Sequence, residues 1–191
     1  MTDRLAQVIA AIDTANAADP NAEDENGVPR PAALLYGERM SAELARLFPD
    51  ASEHLRIAAH GQHVERWKIA RDAYPEGRTG YLKWRTDQAK AHAERVSGMM
   101  AEAGYDEEDR ARVESLLRKE GIKRNPEMQQ LEDVICFVFI RWYLADFAAT
   151  RKGDELERIV EKTARKMSPE ARARALSEFD MPAALAGAFA D

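Results

Sequence analysis

The stretch N-P-E-M-Q-Q-L-E-D-V-I-C-F-V-F-I-R-W-Y-L-A-D-F-A-A-T-R, residues 125–151, decides the fold class. Asn125 is a good helix cap, and Pro126 at the first helical position gives up an N–H that the helix does not use. From Val134 to Leu144 the run is apolar on most sides, which marks a central core helix. The most apolar segment, Val134 to Ala149, is interrupted by Arg141 and Asp146 and is too short to span a bilayer.

Outward from this helix, apolar spacing is helical nearly throughout. Towards the N-terminus, Leu5, Val8, Ile9 and Ile12 form one stripe, with Thr2 as its cap. Ala18 to Pro31 holds three prolines and a glycine and is expected to be a loop. A second helix carries Leu35, Met40, Leu44 and Leu47 and stops at Pro49. A third is expected from about Ala51 to Lys68, with Leu55, Ala59, His63 and Trp67 at steps of four. Residues 71–80, R-D-A-Y-P-E-G-R-T-G, form a loop. A fourth helix from Thr79 or Gly80 aligns Tyr81, Trp84, Gln88, His92 and Met99. A fifth, after Gly104, carries Val113, Leu116 and Leu117 and ends at Gly121 in a left-handed cap. Beyond the central helix, Leu156, Ile159, Val160 and Met167 mark a seventh, and Ser168-Pro169 starts an eighth. No alternation bounded by hairpin turns stands out. The expectation is an all-α, single-domain bundle of about seven or eight helices over residues 1–191.

A chain of 191 residues can bury a core without staples. Its net charge of −6 argues against a general nucleic-acid or membrane coat. A single cysteine, Cys136, rules out an internal disulfide and a Cys-rich zinc site. It lies in the apolar helix and is expected to be an inert small hydrophobe. The start of the chain lacks a basic region leading into an apolar run, so a cytoplasmic protein without a membrane partner is expected.

All four histidines lie between positions 54 and 92. His63 and His92 each share a helical face with apolar residues, and Asp133 shares one with Phe137, Ile140 and Leu144. An inward imidazole or carboxylate needs hydrogen bonds or a cation. Two imidazoles and a carboxylate on three helices suit zinc, manganese or iron in a bundle core. A hydrogen-bonded core network satisfies the same three residues equally well. His60 and His63, three apart, could also share an ion.

Residues 60–95 also hold eight Arg or Lys against five acids, with Trp67, Tyr74, Tyr81 and Trp84 among them. Arginine forks recognise phosphate oxygens, and aromatic rings stack on bases. A solvated face of surface ion pairs is the plainer alternative. The loop around Arg78 can bring that arginine and backbone amides to a helix start, an anion site. There is no phosphate-binding loop and no dinucleotide fingerprint.

The runs Q-H-V-E-R-W (62–67), Y-P-E-G-R-T-G-Y-L-K-W-R (74–85), H-A-E (92–94), A-G-Y-D (103–106) and L-E-D-V (131–134) resemble a family of small bacterial and fungal proteins with a domain of unknown function. Some of its members carry a glutamyl-tRNA synthetase label, although no class I synthetase signature occurs here. More distantly, the series His63, His92 and Asp133, 29 and 41 residues apart, is similar to the HD-domain phosphohydrolases. In those proteins a histidine is followed by a His-Asp doublet and a distant aspartate. Here the doublet's aspartate position is Ala93. Glu94 lies about 100° further round the helix and cannot simply replace it; Glu65 or Glu132 could supply the missing carboxylate.

That resemblance implies a metal-dependent hydrolase of a phosphorylated metabolite or nucleotide. His63, His92 and Asp133 would hold a divalent ion, Arg66, Lys68, Arg71 and Arg85 would neutralise phosphate, and Glu65 or Glu94 would act as general base. Two alternatives stand beside it. One is a non-catalytic nucleotide- or RNA-binding module with a degenerate site. The other is a structural or interaction protein, such as a homodimer through an apolar helix face.

Overall fold

A computed structural model describes residues 3–122, 124–150, 154–181 and 183–190. These are mainly α-helical, as expected, with one two-stranded sheet. Contacts gather into two compact units, Met1–Ile122 and Lys123–Asp191.

In the first unit, α1 (Arg4–Asn16) is capped by Asp3, whose carboxylate accepts the Leu5 N–H. The expected cap Thr2 lies outside the described residues. Val8 and Ile12 are fully buried, so the predicted stripe faces the core. The expected loop after α1 contains a hairpin, β1 (Ala22–Glu25) antiparallel to β2 (Val28–Pro31), with Glu25 opposite Val28. Asn26 and Gly27 both take positive φ, 56° and 84°. An Asn-Gly pair is suited to that tight turn, and Asp24 Oδ1 accepts the Gly27 N–H at 2.9 Å to close it. Pro29 and Pro31 give no ladder N–H, which suits them to this minimal two-stranded edge.

Helix α2 (Ala32–Leu47) buries Leu35, Met40 and Leu44. The expected third helix is shorter than its apolar spacing suggests: α3 runs only from Glu53 to His60. Short 3₁₀ turns follow at Gly61–His63, Arg66–Lys68 and Arg71–Ala73. A Cβ at Gly61 would sit 2.8 Å from Val96 Cγ2, so the chain meets α4 there at backbone distance. At Glu65 the backbone turns left-handed, with φ 50°. Helix α4 (Gly77–Glu102) starts a little earlier than predicted and buries Gln88, His92 and Met99 of the expected face, while Trp84 is half-buried and Tyr81 is exposed at its outer end. A Cβ at Gly80 would fall 1.9 Å from Pro75 O, so only glycine lets the preceding loop lie on the helix.

Helix α5 (Glu107–Leu117) is capped by Asp106 and stops before the expected Gly121. The left-handed cap residue is Lys119, φ 59°, and Gly121 beyond it is left-handed as expected, φ 71°. The Lys119 N–H donates to Leu116 O, and the Glu120 N–H donates to Ser115 O, the paired bonds of a Schellman ending. Helices α1, α2, α3, α4 and α5 pack around Ile12, Leu35, Met40, Leu55, Ile57, Val96 and Leu116.

In the second unit, α6 (Pro126–Val138) starts as predicted, with Asn125 accepting the Glu127 N–H and Pro126 at the first position. A π turn at Phe139–Tyr143 joins it to α7 (Leu144–Thr150). The helical run is therefore re-phased midway, and no residue of α7 is fully buried. Helices α8 (Asp154–Ala164), α9 (Pro169–Glu178) and the short α10 (Ala183–Ala186) complete the unit. Its core holds Met128, Leu131, Phe137, Val160 and Phe189.

Candidate functional site

The four histidines, all in the first unit, fall into two pairs of opposite surroundings. His54 and His60 are bound to carboxylates. His54 Nε2 lies 2.6 Å from Asp109 Oδ1, and the hydrogen bond from His54 is the main force holding the Asp109 carboxyl below its usual range. Arg4 joins that network through Asp109 and Glu53 and lies 4.1 Å over the Tyr105 ring, while Tyr105 donates to Glu53. His60 Nε2 lies 2.6 Å from Asp13 Oδ1, and its Nδ1 lies 2.7 Å from Ser41 Oγ. In the neutral ring Nε2–H donates to the carboxylate and Nδ1 accepts from the hydroxyl. This Asp-His-Ser chain crosses α1, α3 and α2. Spacing could not reveal it, because its members are 19 and 47 residues apart. Gly37 lets α2 approach it: a Cβ there would meet His60 O at 3.0 Å. Ser41 sits mid-helix, where backbone N–H groups are already used, so the chain ties three helices together.

His63 and His92 have cations around them instead. The His63 ring stacks on Tyr36, with centroids 3.6 Å apart and planes 15° from parallel. The His92 ring lies 6.4 Å from it, tilted by 48°. His92 is 5% exposed, and its buried Nε2 has no hydrogen-bond partner among the described residues. Burial first, and then the Arg66 charge, lower its pKa from the usual 6.5 to about 3. His63 is also pushed well below the usual imidazole range, by burial and then by Arg66, His92, Lys119 and Arg85. Both rings are therefore neutral at physiological pH.

The loop that presents Arg66 is held from both sides. Asn16, at the end of α1, accepts the Glu65 N–H at 2.9 Å and donates to Ala33 O. On α4, Gln88 donates to Arg66 O and Ile69 O at 2.8 and 2.9 Å, and the Trp84 indole donates to Ile69 O at 2.9 Å. The inward polar residues of α4 thus serve as loop anchors.

The candidate phosphate-binding cations separate clearly. Lys68 is paired with Glu65 at 2.7 Å. Arg71 is spent on the carbonyls of Tyr74 and Pro75. Arg66 and Arg85 are different: neither has a carboxylate partner among the described residues, and each lies on an aromatic ring. Arg66 is 4.5 Å over Trp84, and Arg85 is 5.9 Å over Tyr81. Burial is the main force lowering the half-buried Arg66's pKa, and the nearby Arg85 charge adds to it. A desolvated cation beside a like charge is costly unless an anion joins it. Neighbouring cations show what ordinary surface pairing looks like: Lys83 with Asp87, Lys90 with Glu94, and Arg95 with Glu65.

The proposed bases sit apart from this cluster's chemistry. Glu65 is bridged between Lys68 and Arg95. Glu94 is exposed on the outer face of α4. The third proposed metal ligand, Asp133, belongs to the second unit and is engaged there. It accepts the Ser168 N–H and hydroxyl, both at 2.8 Å, and the Gln129 amide at 3.0 Å. Burial raises its pKa against those bonds. Glu132, the other candidate carboxylate, is buried in the same unit. Among the described residues no group of three or more His, Cys, Asp or Glu side chains could hold a metal ion. The donor set thus offers a divalent ion two imidazoles set among cations.

Tyr36 and Lys119 are parts of this surrounding that the sequence does not announce. Tyr36 reads as an ordinary helix residue, and Lys119 reaches the vicinity of His63 only because α5 ends in a left-handed turn.

The family model described as "Domain of unknown function (DUF4202)" matches residues 6–188. The chain belongs to that family. No curated protein and no solved structure matches it. Among the described residues no helix is long and apolar enough to cross a membrane.

Proposed function

We propose, with membership of the DUF4202 family as the premise, that this chain binds a small phosphorylated ligand at Arg66 and Arg85. The observation that carries this is a pair of guanidinium groups lacking carboxylate partners among the described residues, one of them half-buried and acting on His92, whose Nε2 has no partner among those residues either. An anion there would offset the desolvation of Arg66 and accept charge-assisted hydrogen bonds, about twice as strong as neutral ones. Two neutral imidazoles nearby can donate or accept without adding charge. This is the binding-module reading of the sequence, with a nucleotide as the natural ligand and RNA as an extension of it.

Calorimetric titration with AMP tests it. Wild type should bind, and Arg66→Gln should weaken binding at least about tenfold, the equivalent of one lost charge-assisted contact. Absence of binding at millimolar AMP would sink the proposal.

Metal-assisted hydrolysis of the same ligand is a second reading, favoured by the juxtaposition of His63 and His92. His63 and His92 are two of its three expected ligands. Elemental analysis of untagged protein decides it: one equivalent of zinc, manganese or iron, lost in His92→Ala, supports a hydrolase, and metal-free protein after incubation with these ions removes that reading.

A further inference from the structure

We infer that the ligand enters phosphate-first and leaves its base outside, stacked on Tyr81, so that the site reads the phosphate and is indifferent to the base. This rests on the proposed binding of a phosphorylated ligand at Arg66 and Arg85 and adds its orientation and class: a nucleoside monophosphate of any base.

Exposure grades along the cluster. His92 is 5% exposed at the inner end, Arg66 and Trp84 are half-buried, and Tyr81 is 43% exposed at the outer end, beside the exposed Arg85. Positive charge without a carboxylate partner extends inward, where a phosphate can be desolvated and hydrogen-bonded. Open ring surface lies outward, at Tyr81. Of the three aromatics in ring contact with His63, Arg66 or Arg85, Tyr36 is covered by the His63 ring at 3.6 Å. Trp84 is covered by Arg66, and its indole N–H is committed to Ile69 O. Tyr81, with Arg85 5.9 Å over its ring, is still 43% exposed, and it lies tilted 40° to Trp84 with centroids 5.9 Å apart. It is thus the ring on which a planar group can stack, one ring beyond the Trp84 that Arg66 covers.

Base indifference follows from what surrounds Tyr81. Reading a base requires hydrogen bonds to its edge, while stacking tolerates every base. The one amide on this part of α4, Gln88, points inward and is bound to two carbonyls. Lys83 is paired with Asp87, and Asp87 also accepts the Tyr74 hydroxyl. Leu82, 50% exposed, follows Tyr81 and adds apolar surface, and Arg85 over the Tyr81 ring is taken up by the phosphate.

The test compares AMP, CMP, GMP, UMP, ribose 5-phosphate and adenosine on the full chain, with wild type and Tyr81→Ala. The four monophosphates should bind within about threefold of one another, and adenosine should not bind measurably. Ribose 5-phosphate should bind about fivefold or more weaker than the monophosphates, the low end of one lost stacking contact. Tyr81→Ala should bring the monophosphates down to the affinity of ribose 5-phosphate and leave ribose 5-phosphate unchanged, while Tyr81→Trp keeps them. A base preference above about tenfold, or ribose 5-phosphate binding as well as AMP, would overturn this inference and leave phosphate binding standing. If no phosphorylated compound binds, both readings fall together.

Discussion

Within one unit, His60 and His92 are equally buried, at 3% and 5% exposure, yet they are opposite kinds of residue. Both ring nitrogens of His60 are engaged, one by Asp13 and one by Ser41. His92 has an Nε2 without a partner among the described residues and lies within reach of the Arg66 charge. The first is what a fold does with a buried imidazole when only stability is at stake. The second leaves a polar atom and nearby cations unsatisfied, a cost that persists in a structure when something else depends on it. Burial alone therefore says little about a histidine, and an open nitrogen alone does not mark a site, since carboxylate-bound His54 also has a buried Nδ1 without a partner among the described residues; the cation beside His92 sets it apart.

The comparison breaks most visibly on deletion. His60→Ala should destabilise the protein by about 2–4 kcal/mol, because it opens a cavity and removes the link through which Asp13 and Ser41 join three helices. His92→Leu should cost less than about 1 kcal/mol, or stabilise, since it removes an unsatisfied buried nitrogen. Urea denaturation measures both, and equal losses would erase the distinction drawn here.

A smaller effect is expected from Arg66→Met, which removes a desolvated cation with no carboxylate partner. Ligand-free protein should gain about 1 kcal/mol while AMP binding collapses. A thermal melt with and without AMP reads both at once, and a destabilised variant would mean that Arg66 serves the fold.

Acid titration sharpens the contrast further. The His92 pKa is lowered in the folded state, so the unfolded chain binds more protons between about pH 6.5 and 3. The stability that neutral His92 contributes is complete above pH 6.5 and is lost as pH falls through that window, by at most about 1.4 kcal/mol per unit. Denaturation midpoints at pH 7, 5.5 and 4.5 should fall less steeply in His92→Leu than in wild type, and identical slopes would place the acid sensitivity elsewhere. The smallest effect belongs to Lys119→Gly. Glycine suits the left-handed cap at φ 59° and should add about 0.5 kcal/mol, while weakening AMP binding only modestly through the lost charge.

The helical class was legible because apolar spacing is a local property. The stripe at Val8 and Ile12, the Asn125-Pro126 start and the Ser168-Pro169 start all appear in the structure where the pattern placed them. So does the inward face of α4 with Gln88 and His92. Periodicity failed where the backbone leaves a helix without an apolar cue. It carried α3 through to Lys68, past the close approach at Gly61 and the left-handed Glu65, and it ended α5 at Gly121 when Lys119 takes the turn. It also passed over the Asn26-Gly27 hairpin, whose signal is two residues long.

By itself, the sequence determined that this chain is helical, that its histidines lie together in one region, and that cations and aromatic residues surround them. Only tertiary structure decided which cations already have partners. Arg71 and Lys68 look like Arg66 and Arg85 in the chain, and a Pro75 carbonyl and a Glu65 carboxylate make them different. The physical reason is that helix periodicity follows from neighbours along the chain. Whether a charge is satisfied depends on atoms that packing brings within 3 Å from elsewhere in the sequence.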